Sequence, residues 1–100
     1  MEEKKFFIGE TEVTGYVIPI GKVNLVLAKT ENGLVGCGAI DVIALEKFNI
    51  PAAKVRPAGS DSIRNIEDLL SGMVVVANRD AKEAGICQDI TGKTALEYLL

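Results

Sequence analysis

Apolar and polar residues change rhythm about two fifths of the way along the chain. The first part has the short, two-residue period of strands. Lys5–Ile8 is a brief apolar stretch closed by the turn signal Gly9-Glu10. Glu12–Ile20 is rich in the β-branched and aromatic types that suit a pleated surface: Val13, Thr14, Tyr16, Val17, Ile18 and Ile20. Pro19 has no N–H to offer a ladder, so this strand ends near there or lies at an edge. After a Gly21-Lys22 turn, Val23–Thr30 is almost continuously apolar, as expected of a strand buried on both faces, with Asn24 as its polar exception. Asn32-Gly33 is the strongest hairpin signal in the chain, because a type I′ turn needs positive φ at both central positions. Leu34–Gly38 is then the returning strand.

From Ile40 onward the period lengthens toward that of a helix. At 100° per residue, Ile40, Ala44, Leu45 and Phe48 share an apolar face, with Glu46 and Lys47 largely opposite. Asp41 falls on the apolar side of this predicted Ile40–Phe48 helix, and Asn49 and Pro51 end it. Ala52–Pro57 reads as a short strand. The loop 58–61 supplies a cap for a helix over Ser62–Leu70 that turns Ile63, Ile66, Leu69 and Leu70 inward, and Ser71-Gly72 stops it. Met73–Ala77 is another buried strand. Asn78 caps a short helix over Arg79–Ala84 that Gly85 closes, and residues 86–90 form an extended link. Thr91 caps a last helix with Ala95, Leu96 and Leu99 facing inward. Hairpins first and helices later predict an α+β fold: one two-layer domain over residues 1–100, a mainly antiparallel sheet with helices packed on one face.

Composition narrows the function classes. One hundred residues suffice for a single core. A net charge of −3 gives no general attraction to nucleic acid or acidic membranes, so neither is expected as a partner. The apolar fraction of 48% is high for so small an interior, and the surplus predicts a homo-oligomer, most simply a dimer. Val23–Ala28 and Met73–Ala77 are too short to span a bilayer. Met1-Glu2-Glu3-Lys4-Lys5 lacks the features of a signal peptide, so a cytoplasmic setting is expected, with Cys37 and Cys87 as thiols. The chain has no His and no Cys-x-x-Cys, which removes the usual zinc ligand sets and any Ser-His-Asp or Cys-His unit. No phosphate-loop or dinucleotide fingerprint is present, so no metal and no cofactor is expected.

The candidate chemistry gathers at Gly33–Asp41, a strand running through a glycine turn into a helix. Gly36 and Gly38 permit close approach of a ligand. A glycine turn entering a helix presents N–H groups to an anion, and a cysteine beside a helix start can be nucleophilic. A two-residue Asn32-Gly33 turn would pair Ala28 with Cys37 and put Asn24 on the same face, so that Asn24, Cys37 and Asp41 converge. The plain readings are a buried space-filling Cys37 and an Asp41 that only favours the helix start. A second candidate is Lys54, Arg56, Ser60, Asp61, Ser62 and Arg64, two arginines beside hydroxyls that suit a phosphate or carboxylate. Its plain reading is a solvated helix cap. Arg79 could serve as a partner for Asp41. Two function classes remain. One is a non-catalytic oligomeric module binding a small polar ligand or a protein partner near Gly36–Asp41. The other is a thiol enzyme with Cys37 as nucleophile, assisted by Asp41 or Asn24. The lack of His favours the first.

Several short runs resemble one family: Asn24-Leu25, Asn32-Gly33, Cys37-Gly38-Ala39-Ile40-Asp41-Val42, Asp68-Leu69-Leu70, Ala84-Gly85-Ile86 and Thr91-Gly92-Lys93-Thr94-Ala95-Leu96. Together they are similar to the YunC-like family of bacteria and archaea, over about residues 20 to 100. The Cys-Gly-Ala-aliphatic-Asp core is the most specific part, with Ile40 where the family has Leu. The resemblance implies a small cytosolic α+β domain of unknown function and no activity to carry over.

Cys37 and Cys87 are predicted to stay unpaired. Peptide mapping under non-reducing conditions should recover each as a separate thiol peptide, and a linked Cys37–Cys87 peptide would contradict the cytosolic expectation.

Overall fold

The strand-like stretches come together in one sheet. The structure, a computed structural model, describes residues 1–100. Strands β1 (Glu2–Ile8), β2 (Thr11–Ile20), β3 (Val23–Lys29), β4 (Leu34–Gly36), β5 (Ala52–Arg56) and β6 (Met73–Ala77) lie side by side in chain order. Every neighbouring pair is antiparallel except β4 and β5, which run parallel because helix α1 (Val42–Glu46) crosses between them. Helices α2 (Ile66–Ser71), α3 (Arg79–Glu83) and α4 (Gly92–Glu97) complete the α+β fold. Gly9 and Gly21 close the first two hairpins with φ of 62° and 57°. Pro19 lies beyond the last β1 pair, Glu2 opposite Val17, so its missing N–H falls on a locally free edge.

Two readings of the third hairpin are corrected. β3 is covered on one face only: Val26 and Ala28 are buried, Leu25 and Leu27 half-buried, and Val23 exposed. Nor do Asn32 and Gly33 form a type I′ turn, since neither has positive φ. Lys29 pairs with Leu34, and the Thr30 N–H donates to the Gly33 carbonyl at 2.9 Å. Gly33 is needed for a different reason: a side chain there would run into the Pro51 carbonyl and Leu99. The Asn32 amide donates to the carbonyls of Leu99 (2.9 Å) and Leu100 (3.2 Å), and the Thr30 hydroxyl to that of Leu99 (2.8 Å). Tertiary contacts thus overrode the local turn preference. The register moves by two residues from the expected one, and an even shift preserves which side chains share a face.

The main core lies on the face that carries Val13, Val17, Val26, Ala28, Val35, Cys37, Ala53 and Val55. α2 and α4 close it with Ile66, Leu69, Ala95, Leu96 and the following Leu99, as their apolar spacing predicts. Val42, at the start of α1, and Ala52, at the start of β5, are buried outside this cluster. α2 starts later than predicted. Asn65, not the 58–61 loop, is its cap, accepting from the Asp68 N–H at 2.8 Å. Asp68 in turn accepts from both the backbone N–H (3.1 Å) and the Nε–H (2.9 Å) of Arg64. The hydrogen bond from Arg64 holds the Asp68 carboxyl below its ordinary range, and the same bond raises the Arg64 guanidinium.

α1 departs most from expectation. It is shorter than Ile40–Phe48 and begins after Asp41, which is its cap and accepts from the Ala44 N–H at 3.0 Å. Within the helix Val42 is therefore buried while Ile43 and Ala44 are exposed, and Phe48 lies beyond the helix end and is exposed as well. Asn49 ends the segment at φ 58°. The tie between α1 and the sheet is Asn78, which is 1% exposed. Its Oδ1 accepts from Ala52 (3.2 Å) and Ala81 (3.0 Å), and its Nδ2 donates to the carbonyls of Val42 and Ile50, both at 2.9 Å.

Replacing Asn78 by Ala should lower stability by about 3 kcal/mol or more in urea unfolding, since four buried backbone groups lose their partner. A loss near that of an ordinary cap, about 1 kcal/mol, would contradict this role. Because the folded Asp68 carboxyl titrates below its unfolded value, its contribution is complete above the ordinary carboxylate range and is lost as pH falls through the lowered value. Asp68→Asn should flatten that acid limb of the stability curve, measured by unfolding between neutral pH and pH ~3.

Candidate functional site

The parallel pair β4–β5 puts two carboxyl-terminal strand ends side by side. The chain leaves β4 through Cys37-Gly38-Ala39 and leaves β5 through Pro57 into the 58–65 loop. An open cleft of about 450 Å³ lies where these ends diverge, beside the start of β3. Asn24, Cys37 and Gly38 from the first candidate stretch line it, as do Lys54, Arg56, Asp61 and Ser62 from the second. Two sets that are separate in sequence therefore share one concavity. Val23, Val55, Ile63 and Val75 supply its apolar surface, which sequence reasoning did not assign to a site. Their spacing reads only as core and strand, and no local signal marks them.

Cys37 is 6% exposed, and its Sγ accepts the Val26 N–H at 3.5 Å. The Cys37 N–H donates to the Val26 carbonyl at 2.9 Å, which extends the β3–β4 ladder by one residue and fixes the thiol at the cleft wall. Gly38 is exposed and has free space where a side chain would project, so its backbone is open to a ligand. The Asn24 amide donates to the Arg64 carbonyl at 2.8 Å and so pins the 57–64 loop against β3. Lys54 is half-buried and Arg56 exposed, and neither has a carboxylate within ion-pair distance. The Arg56 guanidinium has only a long 3.5 Å bond to the Pro57 carbonyl. Two cations that are not ion-paired thus share the cleft with one carboxylate, Asp61, beside an apolar floor, a net positive arrangement suited to an anion with a small apolar body.

Other expected members lie outside the cleft, each with a structural role. Gly36 is not part of its lining, and any side chain there would run into Ile40, so the glycine serves the chain's fold-back. Asp41 is exposed and caps α1, which corrects its expected position on the apolar side and fills the helix start that an anion would need. Ser60 donates its hydroxyl to the Ser62 carbonyl at 2.9 Å. Arg64 turns to Asp68. Arg79 does not meet Asp41: its backbone N–H donates to the Glu46 carboxylate at 2.6 Å and its guanidinium to Asn49 at 3.1 Å. Cys87 is exposed and is not part of the cleft lining. No group of His, Cys, Asp and Glu is arranged to hold a metal ion, and no helix is long and apolar enough to cross a membrane.

Comparison with known proteins follows the same lines. A protein of unknown function, TA1206 from Thermoplasma acidophilum, has a crystal structure that superposes with a TM-score of 0.85 at 21% identity, over 99% of this chain and 92% of that one. At that identity the likeness establishes the fold. No curated protein matches. The profile of the family described as "Domain of unknown function (DUF1805)" matches residues 36–99, a span that begins at the last residue of β4 and holds the Cys37-Gly38 turn, β5, β6 and every helix. The chain is therefore a member of the DUF1805 family.

Proposed function

We propose that the protein is a non-catalytic module that binds a small anionic molecule, a carboxylate with a short apolar body, in the cleft between the ends of β4 and β5. The observation that carries this reading is the meeting of Lys54 and Arg56, neither of them ion-paired and together outnumbering the one carboxylate of the lining, Asp61, with Gly38, Ser62 and an apolar floor in one concavity. Arg56 would take the carboxylate through its planar fork and Lys54 would add a point charge. Ser62 and the open backbone at Gly38 would supply neutral hydrogen bonds. Val55, Ile63 and Val75 would cover the apolar part. A cytosolic setting accords with two free thiols. The Cys37-Gly38-Ala39-Ile40-Asp41 run supports a YunC-like kinship within the family.

A second reading, a thiol enzyme with Cys37 as nucleophile, draws support from the position of Cys37 on the cleft wall. It is the weaker one. The carboxylate expected to assist, Asp41, is committed to the start of α1, and the chain has no histidine to act as base.

Melting curves in malonate, 4-methylvalerate and phosphate, each matched to chloride at equal ionic strength, test the first reading. A carboxylate should raise Tm by a few degrees as it approaches saturation. Arg56→Ala and Lys54→Ala should each remove most of that rise. No response, or one that survives both changes, would refute the proposal. Iodoacetamide labelling separates the two readings. Cys37 in the native protein should react at least ~tenfold more slowly than exposed Cys87, whereas faster labelling of Cys37 would favour the enzyme.

A further inference from the structure

The sheet has a second face, and most of it has no helix over it. Side chains alternate along each strand, so Tyr16, Ile18 and Ile20 of β2 point away from the buried Val13 and Val17. On β3 their cross-strand partners are Leu27, Leu25 and Val23. These three adjacent pairs form one continuous apolar patch, and Ile20 and Val23 are 52% and 60% exposed. Leu27 pairs onward with Gly36, which Ile40 covers. Phe7, 66% exposed, lies at the other end of the same face, opposite Glu12. A monomer of this size rarely leaves so contiguous an apolar surface in water.

We propose that a second copy of this chain docks on this face, stacking β1–β3 of one protomer on β1–β3 of the other. Two properties favour a copy over another occupant. The first is charge. The same face carries Glu3 and Glu12 together with Lys5 and Lys29, two of each sign, so a surface meeting itself about a two-fold axis can set acid against base. A charge-balanced rim gives no pull toward an anionic lipid surface or nucleic acid. The second is size. Seven residues of β1, ten of β2 and seven of β3, at about 3.4 Å each on strands about 4.8 Å apart, project to roughly 390 Å². Side-chain relief raises the accessible area toward the ~600 Å² per partner at the lower end of stable interfaces. Stacking two such sheets makes a sandwich whose inner layer is the patch around Ile18 and Leu25. Val23 belongs both to this face and to the rim of the cleft, so the partner would stand beside the cleft mouth.

Sedimentation equilibrium over the micromolar range tests this. The wild-type chain should sediment at twice its monomer mass. Ile20→Lys should weaken the dimer at least ~thirtyfold, because a lysine would be buried opposite apolar side chains. Leu25→Lys should do the same, while Tyr98→Lys, at the half-exposed residue that ends α4, should leave the dimer intact. Circular dichroism melts check that each variant is folded, and the half-exposed position of Ile20 makes it the safer of the two. A wild-type monomer at every concentration would overturn the proposal, as would a dimer unchanged in folded Ile20→Lys. A monomer that instead binds neutral phosphatidylcholine vesicles would assign the face to lipid and equally overturn it. None of these outcomes depends on what the cleft binds.

Discussion

The four hydrogen bonds of Asn78 hold the architecture together. This side chain lies at the junction of β6 and α3, is almost wholly buried, and uses both acceptor and both donor positions. Its partners are Ala52, Ala81, Val42 and Ile50, so one residue joins the start of β5, the first turn of α3, the start of α1 and the segment after α1. A fully satisfied polar group in an apolar interior rigidifies its surroundings, whereas a half-satisfied one is costly. Here it fixes the only crossover in the sheet. That crossover sets β5 parallel to β4, and their diverging ends form the cleft. Cys37 and Arg56 become neighbours across a concavity through a residue that touches neither.

The chain's cations divide by role. Arg64 is taken up by Asp68 and orders the entry to α2, and Arg79 joins α3 to the end of α1 through Glu46 and Asn49. These pairs are exposed, and each matters for local geometry more than for stability. Lys54 and Arg56 on β5 have no such engagement, which is why they, and not Arg64 of the following loop, mark a place for an anion. The apolar residues divide in the same way. One sheet face meets α2 and α4 and makes the core, while the other is covered only around Ile40 and Val42 and stays open over β2 and β3.

Much of this was legible beforehand because it depends on period and on local chemistry. The alternation of Thr11–Ile20 gives the same strand in any context, since one set of its side chains must leave water. Thr91, with Ala95, Leu96 and Leu99 after it, gives α4, and Asn78 with Gly85 brackets α3, because caps act within one turn. That Cys37 shares a face with Asn24 also followed from alternation. It survived a wrong turn assignment because the error in register was an even number of residues.

What the sequence alone could not supply were choices made between distant segments. Asn32-Gly33 has the local preference for a type I′ turn, yet Asn32 is drawn to the Leu99 and Leu100 carbonyls and Gly33 makes room for Pro51. Several long-range contacts outweigh a preference of at most a few kcal/mol in the turn itself. The apolar face assigned to Ile40–Phe48 assumed a helix beginning at Ile40. Asp41 started it two residues later, and Asn78 then fixed which side met the sheet. The merging of the Cys37 and Arg56 stretches into one cleft depended on β5 lying parallel to β4. No local pattern encodes that pairing, because it is decided by which strands the packed core brings together.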